Sequence, residues 1–265
     1  MSMPATLIFD NLWRQFLQVT PSAERIHELL AANSTIVNDH IALRTFNHPK
    51  VNIDVIARPF LKVGYTSCGH YEFKTKKLVA QHFEHPDPLL PKVFISELLL
   101  EQCSLSLQHI ANGLIEQVAA DTPLRDDFVF SGTPWKVDQA GYYALLEESE
   151  YAGWLAAWGY RANHFTVSVN HLDNFERLED VNRALMAQGF VLNLGGGRIK
   201  GTPEELLEQS STMADTAFCE FSDGVLEIPS CFYEFARRYA DQQGEIYTGF
   251  IAASADKIFE STHKN

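Results

Sequence analysis

Cysteine is scarce: the four present (Cys68, Cys103, Cys219 and Cys231) form no CxxC pair. That excludes a zinc ribbon and argues against a disulfide framework. Positive charge is also in short supply, with 21 Lys and Arg against 34 Asp and Glu, a net charge of −13. Such a surface repels phosphate backbones and anionic membranes, so neither nucleic acid nor a membrane surface is an expected partner. No apolar run approaches the ~18 uninterrupted residues of a membrane span. The opening "MSMPATLIFDNLWRQF" lacks the basic-then-apolar order of a secretion signal. A cytoplasmic location is the resulting expectation, and in that setting the Asn33-Ser34-Thr35 sequon carries little meaning. HExxH is missing too, and the one glycine-rich stretch fits neither GxGxxG nor GxxxxGK[ST].

What is present is ample apolar material, 46% of 265 residues, enough for a sizeable core without staples. Phe9, Leu12, Trp13, Phe16 and Leu17 recur at helical spacing, and Pro21 opens a second helix through "SAERIHELLAAN". "DHIALRTF" then alternates with period two, as a strand does. From about Leu98 to Gly159 the chain returns to long helical patterns. "NHFTVSVNHLDNFERLEDVNRALMAQGFVLN" follows, read as a strand, an amphipathic helix and a glycine-started strand. Side by side, "NDHIALRTF" echoes "ANHFTVSVN", "LKVGYTS" echoes "MAQGFVL", and "VFISEL" echoes "CFYEFA". The expected division is residues 1–34 as N-terminal helices, 35–97 as a first module, 98–159 as a helical insertion, 160–240 as a second module and 241–265 as a C-terminal segment, all within one domain.

Strand geometry sorts the side chains. His40, Ala42 and Arg44 share one face, as do His164, Thr166 and Ser168, and as do Phe232, Glu234 and Ala236. The opposite faces are apolar and suit a core. The faces carrying His40, His164 and Glu234 hold mostly small neighbours, which leaves room for a bound group. Two neutral imidazoles and a carboxylate are what a facial Fe(II) triad needs. Arg44 lies about 13 Å along the strand from His40, and its long side chain can reach back to clamp a carboxylate. A single strand histidine is equally a hydrogen-bonded core residue; recurrence in both copies is what favours a ligand.

The paired βαβββ pattern, with candidate ligands at the start of the first strand and in the last strand, resembles the vicinal oxygen chelate (glyoxalase/extradiol dioxygenase) superfamily. More closely, "DHIALRTF", "LPKVFISELL", "GGGRIKGTPEELLEQSSTMADT" and "IPSCFYEFARRY" resemble the 2-oxoadipate dioxygenase/decarboxylase family across residues 35 to 240. The resemblance implies an α+β fold, two βαβββ modules forming a cupped mixed sheet, with N-terminal helices and a helical insertion between the modules. It implies an Fe(II) enzyme that takes a 2-oxo dicarboxylic acid and O2, releases CO2 and leaves a 2-hydroxy acid one carbon shorter. Carried over by motif, the metal ligands are His40, His164 and Glu234, and Arg44 is the catalytic anchor for the substrate carboxylate. Glu220 and Glu227 compete with Glu234 for the third position.

Other signals are weaker. Arg198, Lys200, Gln209 and Ser211 lie in or after the glycine-rich turn of "NLGGGRIKGTPEELLEQSST", read as a flap entering a capped helix, where they would touch substrate. His82 and His85 sit in a proline-bounded stretch read as a solvated loop. His70, His109 and His171 have no partner pattern. Trp135, Trp154 and Trp158 belong to core or interface. Pairing "VFISEL" with "CFYEFA" sets Ser96 opposite Glu234, which favours an open three-ligand site, unless a bulge turns Glu97 inward. A metal-dependent isomerase, lyase or hydrolase using Zn2+, Ni2+ or Mn2+ is the alternative on the same scaffold; a third is a non-enzymatic small-molecule binder. The helical insertion would either cover the pocket or build a homodimer interface.

Overall fold

The computed structural model describes residues 3–31 and 35–262 (of 259 and 260 the backbone only), so Asn33 and Ser34 of the sequon lie outside the described residues. Helices α1 (Ala5–Leu17) and α2 (Pro21–Ala31) form as their periodicity predicts, α1 burying Ile8, Phe9, Leu12 and Phe16. The first module runs β1 (Asn38–Phe46), α3 (Ile53–Lys62), β2 (Thr66–Phe73), β3 (Leu78–Glu84) and β4 (Lys92–Leu98). The insertion contributes α4 (Leu105–Gln117), α5 (Gln139–Glu148) and α6 (Glu150–Trp158). The second module runs β5 (Ala162–Ser168), α7 (Leu178–Ala187), β6 (Lys200–Thr202), β7 (Leu207–Ser211) and β10 (Phe232–Arg238). A separate hairpin of β8 (Thr216–Phe221) and β9 (Gly224–Pro229) interrupts it, and α8 (Ala252–Ile258) follows.

Eight strands make one mixed sheet in the order β2-β3-β4-β1-β5-β10-β7-β6. The two halves mirror each other about the antiparallel β1–β5 seam, each with its last strand parallel to its first. Even the hairpins repeat. A short 3-10 turn at Lys74–Lys76 ends on Lys77 at φ 56°, and the turn at Pro203–Glu205 ends on Leu206 at φ 65°. Among the described residues these are the only non-glycines with positive φ, so the strain recurs at one equivalent point in each module.

Three expectations change. "GTPEELL" has helix formers and a Thr cap, yet only a 3-10 turn forms, because β7 is captured by β10 on one side and β6 on the other. Tertiary pairing outweighs local propensity here. Gly201, at φ +79°, is required: a Cβ there would lie 2.1 Å from the Leu207 carbonyl oxygen. After α7, "FVLN" forms no strand but a single bridge, Leu192 to Thr212. Finally, "AQHFE" is strand β3, and His82 is buried within it rather than solvated. No helix among the described residues is long and apolar enough to cross a membrane.

Candidate metal centre

The β1–β5 seam brings the two strand histidines together. His40 stands opposite Thr166, His164 opposite Ala42, and Glu234 beside Thr166 on β10. All three side chains are buried, Glu234 completely. His164 Nε2 lies 3.1 Å from Glu234 Oε2 and His40 Nε2 lies 3.7 Å from Glu234 Oε1. Ligand atoms on one face of an octahedron with bonds of about 2.1 Å are about 3 Å apart, so the set is nearly at coordination spacing before any ion is added.

The outer hydrogen bonds decide which way the imidazoles face. His40 Nδ1–H donates to Asp39 Oδ1 at 2.8 Å and His164 Nδ1–H donates to Asn163 Oδ1 at 3.1 Å. Each Nε2 lone pair is thereby turned toward Glu234. Although Glu234 Oε2 is close to His164, it receives no hydrogen bond. His40 Nε2 also lies 3.1 Å from the Thr166 hydroxyl, which an ion would displace, and the unbonded Glu234 Oε2 beside two imidazoles is an arrangement that suits a cation. Gln209 Nε2 donates to Glu234 Oε1 at 2.6 Å and fixes that carboxylate. The donor set therefore fits a divalent metal.

The charges follow the same logic. Burial holds His164 neutral, its pKa pushed down to about 3, with Glu234 opposing and His40 and Arg44 adding to the effect. Burial works the same way on His40, but Glu234 and Asp39 flank it and raise its pKa. For Glu234, burial is outweighed by the two histidines and Gln209, and its pKa is lowered.

Arg44 shares the face of His40 but lies farther along β1. Its Nη1 donates to Glu150 Oε1 at 3.1 Å, and its guanidinium sits 4.8 Å from the Tyr151 ring and 4.9 Å from the Trp154 ring. The start of α6, inside the insertion, therefore holds the arginine. Of the other sequence candidates, Gln209 reaches the centre through Glu234. Ser211 bonds Ser261, buried Lys200 donates from Nζ to the Asn193 carbonyl, and Arg198 is exposed; none of these three lines the cavity. Glu220 and Glu227 lie exposed on the separate β8–β9 hairpin. Trp135, Trp154 and Trp158 are core residues whose indole N–H groups donate to backbone carbonyls.

The strand register corrects one alignment. His40 pairs with Lys92 and His164 with Phe232, so the residue matching Glu234 is Phe94, two positions before Ser96. Parity is unchanged by a shift of two, so the face is right and the residue was wrong. Glu97 points away and accepts the Ile53 N–H at the start of α3. There is no bulge to turn it inward, and the first module offers a phenyl ring where the second offers a carboxylate.

Sequence reasoning missed four contributors, Asp39, Asn163, Arg238 and Phe250. Asp39 and Asn163, each immediately before its histidine, were visible as the "DH" and "NH" of the repeat. Arg238 pairs with Asp39 through two hydrogen bonds, 2.7 and 2.9 Å, and its Nη1 holds the carbonyls of Tyr247 and Gly249. Phe250, carried by that segment, lies 4.8 Å from the His40 ring and closes the cavity together with Ala255 and Ile258.

Comparison with known proteins agrees with this geometry. The profile of the 2-oxoadipate dioxygenase/decarboxylase family matches residues 11–245. The chain is similar to the chloroplastic 2-oxoadipate dioxygenase/decarboxylase of Arabidopsis thaliana, 34% identical over 93% of this chain and 74% of that protein. Among solved structures it resembles a Shewanella frigidimarina protein provisionally described as a hydrolase (58% identity, 95% of this chain and 99% of that one, TM-score 0.92). It also resembles hydroxyglutarate synthase of Oryza sativa in complex with 2-oxoadipate (32% identity, 98% and 94% covered, TM-score 0.90). A glyoxalase superfamily protein of Ralstonia eutropha JMP134, at 20% identity, shares the fold (94% and 86% covered, TM-score 0.75). The chain belongs to the 2-oxoadipate dioxygenase/decarboxylase family.

Proposed function

We propose that this chain is an Fe(II)-dependent dioxygenase/decarboxylase of a 2-oxo dicarboxylic acid, with 2-oxoadipate as substrate. The observation that carries this reading is the buried His40–His164–Glu234 set, whose three ligand atoms lie within 4.8 Å of one another, with an arginine farther along the same strand face. 2-Oxoadipate and O2 would give 2-hydroxyglutarate and CO2, which balances in carbon, hydrogen and oxygen. Iron(II) held by these three residues supplies redox electrons and open positions for a 2-oxo acid and O2.

The chain's own groups do the rest. Arg44 anchors the far carboxylate of the substrate by exchanging Glu150 for it, one carboxylate for another at Nη1 of the guanidinium. Gln209 keeps Glu234 in place, and Asp39 and Asn163 keep both imidazole lone pairs turned inward. Phe250, Ala255 and Ile258 exclude bulk water.

The test is anaerobic reconstitution with Fe(II), then addition of 2-oxoadipate and O2, reading oxygen uptake and CO2 release. Equimolar uptake and release are expected; absence of turnover on every 2-oxo diacid tried overturns the reading. The 58% identical Shewanella protein described as a hydrolase motivates a second reading, metal-activated water acting on an ester or amide. That activity would survive exclusion of O2 and replacement of iron by Zn2+, whereas the dioxygenase would not.

A further inference from the structure

A second set of ligand-type side chains lies on the same sheet face, two strands from His40 and therefore about 10 Å away. Cys68, His82 and Glu84 each offer one ligand atom, and the three atoms lie within 4.8 Å of one another. The main centre uses none of them. His82 and Glu84 are two apart on β3 and share a face, with His82 Nε2 2.9 Å from Glu84 Oε1. Cys68 joins them because β2 carries an irregularity between Ser67 and Gly69, leaving Cys68 as the extra residue.

The surroundings hold the imidazole in place. Tyr71 Oη bonds His82 Nδ1 at 2.9 Å, the outer hydrogen bond that orients a ligating histidine. Gly69 faces that ring so closely that a Cβ would lie 2.8 Å from Nδ1, so only glycine leaves the imidazole where it is. Tyr71, His82 and Glu84 form a hydrogen-bonded chain, in which the ion would replace the His82 Nε2–Glu84 Oε1 bond of 2.9 Å. Lys92 and Arg238 are cations whose charges act on Glu84.

We propose that Cys68, His82 and Glu84 form a second, thiolate-containing site for a borderline divalent cation such as Zn2+. A thiolate, an imidazole and a carboxylate make a three-ligand set that Zn2+ completes with water. The ion takes Cys68 as the thiolate, any thiol proton passing to solvent. The ion would tie the edge strand β2 to β3. It would also stiffen the Phe250 segment, since the Phe250 ring lies 5.2 Å from His82 and the Phe250 N–H donates to Tyr71 Oη.

Co2+ separates the two centres, because only the second contains sulfur. Titration of the full chain with Co2+ under anaerobic, reducing conditions should give two binding steps, one with a thiolate-to-cobalt charge-transfer band in the near ultraviolet. Cys68→Ser should abolish that band and one step, and His40→Ala should lose the other step and keep the band. Cys68 is exposed, so the serine variant is not expected to unfold. The absence of a thiolate band in the unaltered protein, or a band that survives Cys68→Ser, would overturn the proposal.

Discussion

Asp39 does two jobs with one carboxylate: it accepts from His40 Nδ1 and it pairs with the buried Arg238. Asp39→Asn keeps the shape and removes the charge. Loss of such an outer partner typically weakens metal affinity by about 10–100-fold. Leaving Arg238 buried without its counter-ion should cost about 3–5 kcal/mol of stability. Both effects are expected together, one in a metal titration and one in chemical unfolding; unchanged affinity would remove Asp39 from the centre. His27 shows the residue scale from the side of pH. It packs 5.4 Å from the Trp13 ring, and burial lowers its pKa from the usual 6.5 despite nearby Glu28. The folded state therefore favours neutral His27. Above about pH 6.5 folded and unfolded chains bind the same protons there. As pH falls further, the unfolded chain takes one up first, and this share of stability is lost. His27→Gln should flatten the decline in melting temperature between about pH 7 and pH 5; an identical slope in both proteins would count against it.

At the scale of strands and helices, the sheet explains why some of the site was legible beforehand and some was not. A strand's parity is fixed by sequence alone, so His40, His164 and Glu234 could be set on one kind of face without knowing the fold. The repeat then supplied the pairing, because β1 and β5 are neighbours across the seam. Register is a tertiary property, and the choice of Ser96 failed for that reason: nothing local distinguishes Phe94 from Ser96. The "GTPEELL" segment failed in the opposite direction, a locally helical sequence drawn into a sheet edge. Phe94 turns the correction into a prediction. It faces Ala42 as Glu234 faces Thr166, and it lines the cavity. Phe94→Glu would place a carboxylate at the symmetry-related position and fill a coordination position that a 2-oxo acid and O2 require. The bound metal should be harder to remove by chelator. Turnover should fall by about 10²-fold or more, as when a reactant loses its oriented position. A Phe94→Glu enzyme with undiminished oxygen uptake would show that the open positions lie elsewhere.

On the scale of the whole molecule, the centre is a shared product of distant segments, and the C-terminal one closes it. Arg238 grips the carbonyls of Tyr247 and Gly249, Ser261 bonds Ser211 and Asn193, and Thr262 bonds the same Glu150 that holds Arg44. This strap was invisible in the sequence because its pattern is short and irregular, and its partners are as distant along the chain as Tyr71 and His40. The space left beside the ligands is about 20 Å³. That is room for an ion or one water, which needs about 10–15 Å³, and not for a six-carbon diacid. On the proposed reading substrate would enter by a shift of the strap, and the contact of Thr262 with Glu150 would tie that shift to the proposed carboxylate exchange at Arg44. Phe250 is then the wall that a bound substrate meets once the strap is back in place. Phe250→Ala removes that wall at a stability cost of about 3–5 kcal/mol, typical of a buried phenylalanine. Discrimination over one methylene in an apolar pocket is worth about 1–3 kcal/mol. The preference for 2-oxoadipate over the 2-oxo diacid one methylene longer, measured as a ratio of kcat/KM, should therefore shrink by about tenfold or more in Phe250→Ala. If that ratio stays fixed while both rates fall, Phe250 serves stability alone and some other segment sets the length of the substrate.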